Sequence, residues 1–186
     1  MKTILVAYGT TEGQTRKIAE FIAQRVRARG HEADLVDTAS ASAPIVSPTY
    51  AGALIGGSVH QGKHQSALVH FVKSNLVWLS GIPTAFFSVS LAAAGVGEDD
   101  KHDAKQALDV FIDDTGLKPG MTLAVAGALK YTQYDFFKRW IMKSISKKKG
   151  HVIDTSLDVE YTDWEALARF VDEYMSHAEI DGRKAA

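Results

Sequence analysis

The chain has no cysteine among its 186 residues. That excludes disulfides, thiolate metal sites, iron–sulfur clusters and a redox-active dithiol. Any electron chemistry must therefore be borrowed from a cofactor. Long apolar runs are missing too: no stretch approaches the ~20 residues that a membrane-crossing helix needs. An apolar strand pattern starts almost at the N-terminus, so we expect no secretory leader and a cytoplasmic protein, unless it meets a membrane from the side. Neither internal repeats nor linkers interrupt the sequence. One domain over residues 1–180 is the natural reading, large enough for a sizeable core, with a frayed tail over 181–186. A hydrophobic share of 46% and a charged share of 23% fit a globular protein in water.

Against these absences, apolar runs alternate with helical patterns, which predicts an α/β fold whose parallel sheet is covered on both faces. The predicted strands are Lys2–Tyr8, Ala33–Asp37, Tyr50–Gly56, Thr84–Ser90 and Met121–Leu129. Between them the spacing predicts helices over Arg16–Arg29, Gln65–Leu79 and Asp103–Asp114, the first stopped by Gly30. Thr38–Pro48 is rich in Ala, Ser and Pro and reads as a loop or one short turn. After Leu129, alternation with period two returns only at Leu157–Tyr161, so an insertion at about 130–156 splits the last strand. Thr162 with Glu165 has the spacing of a capping box for a final helix reaching about His177.

Charge is unevenly spread. Between Lys130 and Gly150 stand seven cations (Lys130, Lys138, Arg139, Lys143, Lys147, Lys148, Lys149) against Asp135 alone, in a chain whose net charge is −1. A concentrated positive field on an otherwise acidic body implies an anionic partner. Phe136, Phe137, Trp140, Ile141 and Ile145 recur there at helical spacing. Two readings stay open: a helix docked on the core with solvated lysines, or an interfacial helix with aromatics in a membrane and lysines at anionic headgroups. No nucleic-acid reader motif accompanies the charge, so we expect no nucleic-acid partner.

The most informative segment is Thr10-Thr11-Glu12-Gly13-Gln14-Thr15, between the run Ile4–Tyr8 and the first helical pattern. Backbone N–H groups at such a strand–turn–helix junction point at an anion, and the threonine hydroxyls add donors. It contains neither the lysine of a nucleoside-triphosphate loop nor a G-x-G-x-x-G. A hydroxyl-lined turn without a lysine suits a singly linked monophosphate, as in flavin mononucleotide (FMN). A plain capped turn is the bland alternative.

Tyr8-Gly9-Thr10-Thr11-Glu12-Gly13-Gln14-Thr15, with Ala19 four positions on, resembles the flavodoxin phosphate signature. Ala7 departs from the bulkier residue usual before the aromatic. Further along, Gly57–His64, Ala85–Leu91, Ala126–Tyr131 and Tyr161–Glu165 follow in an order that resembles the menaquinone-dependent protoporphyrinogen IX dehydrogenase family over nearly the whole chain. The resemblance implies a flavodoxin-like, doubly wound five-stranded sheet of order 2-1-3-4-5, with ligands at the carboxyl ends of the strands. It also implies an FMN oxidoreductase that takes a porphyrinogen as substrate and a membrane quinone as acceptor. An electron carrier, or an NAD(P)H or quinone reductase on the same scaffold, remains an alternative. The near-neutral total charge and the basic insertion argue against the carrier.

By that resemblance, FMN contacts are expected at Thr10, Thr11, Glu12, Gly13, Gln14 and Thr15 for the phosphate. For the ring they are expected at Ser58, Val59, His60, Gln61, Gly62 and Lys63, and at Ser90, Leu91 and Ala92. A cation or N–H from His60, Gln61 or Lys63 near the flavin would favour its reduced, anionic form; solvated loop polarity is the alternative. Gly57, Gly62, Gly95 and Gly97 would let backbone approach a flat ring. The chemistry would reside at the flavin N5, with no catalytic side chain; Ser90 has no activating base beside it in sequence. His60 and His64 lack a carboxylate or a third histidine nearby, so no metal site is assigned.

Overall fold

The computed structural model describes residues 1–40, 49–129 and 159–178. The expectations for Ala41–Pro48, for the basic segment and its stripe, and for the tail concern residues outside those described. Strands β1 (Thr3–Gly9), β2 (Glu32–Asp37), β3 (Tyr50–His60), β5 (Thr84–Ser90) and β6 (Met121–Ala126) form a parallel sheet in the order β2-β1-β3-β5-β6. This is the expected 2-1-3-4-5 order, counted over the parallel strands. A two-residue strand β4 (Lys63–His64) folds back antiparallel on the end of β3, pairing Val59 with His64 and His60 with Lys63. Helices α1 (Gln14–Ala28) and α5 (Trp164–His177) cover one face; α2 (Ser66–Ser74), α3 (Leu76–Ser80) and α4 (Glu98–Thr115) cover the other.

Strand alternation sorts the core. Ile4, Val6 and Tyr8 of β1 point to the face packed by Ile18, Ile22 and Val26 of α1 and by Phe170 and Val171 of α5. Leu5 and Ala7 point to the opposite layer, with Leu68, Phe71, Phe86, Leu108 and Phe111. Each large side chain so buried contributes ~1.5–3 kcal/mol, which fixes both helix layers against the sheet. α1 stops where Gly30 takes a left-handed turn, with φ +84°, as the sequence predicts. Across the outer surface Asp172 of α5 accepts a bidentate bond from Arg25, at 2.9 and 2.6 Å, and another from Arg29 at 3.1 Å.

Three local expectations change. The predicted helix Gln65–Leu79 is two helices, because buried Asn75 breaks the turn at φ −112°, ψ 12° and its amide donates to the Phe71 carbonyl. The final helix is capped by Asp163, whose carboxylate accepts from the Ala166 N–H at 2.9 Å. Thr162 is unavailable as a cap: its hydroxyl donates to the Ala126 carbonyl at 2.8 Å and accepts from Gln14 Nε2 at 2.9 Å. Finally, the segment returning after the insertion does not rejoin the parallel sheet. β7 (Ala128–Leu129) and β8 (Val159–Glu160) pair with each other, antiparallel, beyond a break in pairing at Gly127.

Gly56 is the tightest point of the sheet. A Cβ there would lie 2.0 Å from the ring of Phe87, its register partner on β5. Phe87 is fully buried and has no room to turn away. Gly56→Ala is therefore expected to lower unfolding stability by about 1–3 kcal/mol through overpacking, measured by urea denaturation. An unchanged midpoint would mean that the Phe87 ring does not lie across Gly56.

Candidate functional site

Parallel strands all release their following loops at one edge, and there the turns after β1, β3 and β5 meet. They enclose a cavity of about 620 Å³ together with one side of α4. Thr10, Thr11, Glu12, Gln14 and Thr15 line it from the first turn. Ser58, Val59, His60, Gln61, Gly62 and Lys63 line it from the β3–β4 hairpin, and Ser90, Leu91 and Ala92 from the end of β5. Of the residues expected from sequence as FMN contacts, Gly13 alone is not in the lining. It sits at the N-cap of α1 with φ +92°, where a side chain would be strained, and its N–H donates to Thr10 Oγ1 at 2.9 Å.

No side chain caps α1. Its first-turn N–H groups have no partner within the helix and carry its positive dipole end. Behind them the Thr15 hydroxyl is fully buried and has no hydrogen-bond partner. The other hydroxyls of the lining share one polarity. Thr10 Oγ1 accepts from Gly13 N–H, Thr11 Oγ1 from Gln65 Nε2 at 2.9 Å, Ser58 Oγ from the same Gln65 amide, and Ser90 Oγ from Ala93 N–H at 3.2 Å. A hydroxyl has one proton and two lone pairs, so each keeps its proton for the cavity. The floor thus presents hydroxyl donors to the cavity, with the Glu12 carboxylate of the same turn also in the lining.

The far wall was not anticipated from sequence. Asp99, Asp100, Asp103, Gln106, Ala107 and Val110 line the cavity from α4. Their three- and four-residue spacing puts them on one stripe, but polar residues at that spacing look like an ordinary solvated face. Charged groups in the lining are Glu12, Asp99, Asp100 and Asp103 against Lys63, so this rim is acidic. Asp100 also accepts from the Gly97 N–H at 3.1 Å, closing the first turn of α4. Gly127 and Ala128 complete the lining.

The hairpin keeps the two histidines apart, and the reading of the glycines is corrected. His60 and His64 fall on opposite faces of the ribbon, because Val59 and not His60 is opposite His64. His60 is exposed, whereas His64 turns inward: its Nε2 lies 3.0 Å from Ser88 Oγ, and its ring packs edge-on against Phe86 and Phe111. Of the four glycines expected beside a ring, only Gly62 lines the cavity, at φ +77° in the hairpin turn. A Cβ on Gly57 would strike Leu68 at 2.4 Å, and one on Gly95 would strike Asp100 at 2.2 Å; both glycines serve internal packing. Gly97 is the N-cap of α4.

At the other rim, Glu160 of β8 is bonded to Lys17 of α1. Partial burial alone would raise the Glu160 carboxyl, but the Lys17 ammonium outweighs it and holds the group below its usual range. With Gln14–Thr162 and the Tyr161 N–H on the Gly127 carbonyl at 3.1 Å, this ties the returning segment to the first turn of α1.

Comparison with known proteins agrees with this geometry. The family described as "Flavodoxin domain" matches residues 5–156. The protoporphyrinogen IX dehydrogenase [quinone] of Escherichia coli (strain K12) is 34% identical over 173 residues, which are 93% of this chain and 94% of that one. Its namesake from Leishmania major is 32% identical, covering 91% of this chain and 73% of its own. Oxidised Flavodoxin 1 from Bacillus cereus superposes with a TM-score of 0.56 at 16% identity, over 95% of this chain and 99% of that one, which speaks to the fold alone.

Burial lowers the His64 pKa to about 4 from 6.5. The folded state holds the neutral ring, so its contribution is complete above pH 6.5 and is lost as pH falls towards 4. Wild-type stability is expected to drop by up to about 3 kcal/mol across that window from this group, and His64→Gln to lose that part of the slope. Urea unfolding at stepped pH reads it. Identical profiles for the two proteins would count against a buried neutral His64.

Proposed function

The chain belongs to the flavodoxin-domain family, and from that premise we propose that it is an FMN-dependent oxidoreductase that dehydrogenates a protoporphyrinogen-type tetrapyrrole with a quinone as acceptor. Family membership implies a flavin. The single observation that carries FMN is the donor floor: an uncapped helix N-terminus and a buried, partnerless Thr15 hydroxyl in one cavity. Buried polar groups need a partner, and a phosphate has only acceptors to offer an array of donors. The residues present fit that group.

Thr10, Thr11, Thr15 and the first amides of α1 would hold the phosphate; the hairpin Ser58–Lys63 and Ser90–Ala92 would flank the ring. FMN, when bound, supplies a two-electron acceptor that the side chains of this chain cannot provide. The protein's own work is orientation and exclusion. Ser58 and Ser90 present O–H donors to ring heteroatoms, and Lys63 is the cation in the lining that could stabilise charge gained there. The α4 carboxylates repel negative charge, so the propionates of a porphyrinogen would face away from that wall. The seven cations between Lys130 and Gly150 offer complementary charge, and the same segment is our candidate for docking beside a quinone-bearing membrane. Among the described residues no helix is long and apolar enough to cross a membrane.

Purified protein is expected to bind FMN and, under anaerobic conditions with a menaquinone analogue, to convert protoporphyrinogen IX into fluorescent porphyrin faster than the autoxidation blank. Protein that stays colourless with added FMN would refute the flavin reading; yellow protein with no rate above the blank would refute the substrate. For the membrane proposal, joint neutralisation of Lys147, Lys148 and Lys149 is expected to reduce flotation with anionic liposomes at low salt. Undiminished flotation would remove it.

A further inference from the structure

Resting on the flavin reading above, we propose that Gln65 is a positioning residue that fixes the hydroxyls of Thr11 and Ser58 as donors toward the ligand. Gln65 precedes α2 with extended backbone, at φ −59° and ψ 137°, so its side chain is not carried out along the helix surface. It lies instead over two glycines. Its Oε1 would be 3.0 Å from a Cβ on Gly9 and 3.5 Å from one on Gly57, so the bare backbone of both strands leaves it room.

From that seat the one amide reaches both halves of the site. Nε2 donates to Thr11 Oγ1 in the phosphate turn at 2.9 Å and to Ser58 Oγ on the ring-side strand. An amide nitrogen carries two protons and accepts nothing, so each hydroxyl must receive the bond through a lone pair. The hydroxyl protons are thereby turned toward the cavity that both residues line. Thr10 and Ser90 reach the same polarity through backbone N–H groups, which only a proline at Gly13 or Ala93 would remove. Thr11 and Ser58 depend on a single side chain. The Gln65 Oε1 is itself buried and, among the described residues, has no partner, so none of them uses this side chain as an acceptor.

The ligand chemistry follows from the polarity. The Thr11 end, beside the N-terminus of α1, takes an anionic oxygen, and the Ser58 end takes a neutral acceptor such as a ring carbonyl or imine nitrogen. A carboxylate at position 65 would reverse both: the hydroxyls would donate to it, and its charge would oppose the phosphate.

Apoprotein titrated with FMN and with riboflavin, followed by flavin fluorescence, tests this. Gln65→Glu is expected to weaken FMN about 100-fold and riboflavin clearly less, because riboflavin lacks the phosphate that feels Thr11 and the added charge. Gln65→Met, similar in size without the donor, is expected to weaken FMN roughly 10-fold. A side chain that merely braced two strands would affect both flavins alike and make the two variants equivalent. FMN binding by Gln65→Glu within about 3-fold of wild type, or equal losses for both flavins, would overturn the proposal. Far-UV circular dichroism and the unfolding midpoint confirm folding. Should Gln65→Glu not fold, a double-mutant cycle of Gln65→Met with Thr11→Val decides: coupling supports the role, and additivity overturns it. Wild-type apoprotein that fails to bind FMN would sink the flavin reading itself, a different result from tolerance at position 65.

Discussion

Uncompensated hydrogen-bond donors at one end of the sheet are the constraint around which this molecule is arranged. A helix that begins with no capping side chain, above a fully buried hydroxyl with no partner, holds polar groups that water or protein would ordinarily satisfy. Leaving Thr15 unpaired costs about 1–3 kcal/mol. The apolar layers offset that cost. Ile18, Ile22 and Val26 anchor α1 beneath its exposed start, and Ile4, Val6 and Tyr8 anchor the strand that delivers the turn. Among the described residues the buried side-chain atoms without a partner, Thr15 Oγ1 and Gln65 Oε1, both belong to the edge where a ligand would bind.

The same division runs through the ring side. The β3–β4 hairpin projects beyond the sheet, where a two-residue ladder would be a weak support on its own. His64 supplies the anchorage by turning into the layer formed by Phe86 and Phe111, whose rings stack on each other at 4.2 Å, and by meeting Ser88. Its alternate, Lys63, is left in the cavity lining. Helix α4 is divided in the same way: Leu108 and Phe111 enter the core, while Asp99, Asp103 and Gln106 form the wall. The rigidity of the cavity is thus borrowed from the core, one alternate residue at a time.

Much of this was legible in the sequence because it depends on local pattern. The apolar run of β1 and the threonine-rich turn after it are written in consecutive residues, and the helical patterns between apolar runs imply a parallel sheet, while the strand order rested on the family resemblance. What was not legible depends on contacts made at a distance. Asn75 sits inside an apolar helical period, and only its bond to Phe71 shows that the helix breaks there. Thr162 satisfies a capping-box spacing, yet the Ala126 carbonyl, 36 residues away, engages its hydroxyl. Gly57 and Gly95 read as openings for a ligand until Leu68 and Asp100 are placed against them. Gln65 looked like the first polar residue of a helix; its bond to Thr11, 54 residues away, gives it another role.

The two walls of the cavity also decide how a ligand can lie. Donors on the floor accept an anion at the α1 end, while carboxylates along α4 reject one on the opposite side. A ligand with a single anionic terminus would therefore be favoured with that terminus toward α1. Gly127 and Ala128 line the remaining side. At that side the chain leaves the described structure at Leu129 and re-enters it at Val159, and those two residues are paired. Lys17–Glu160 and Gln14–Thr162 hold this junction against the first turn of α1. In the sequence, seven cations stand between these two paired residues. The α4 wall, lined by carboxylates, sorts partners by charge before any specific contact is made.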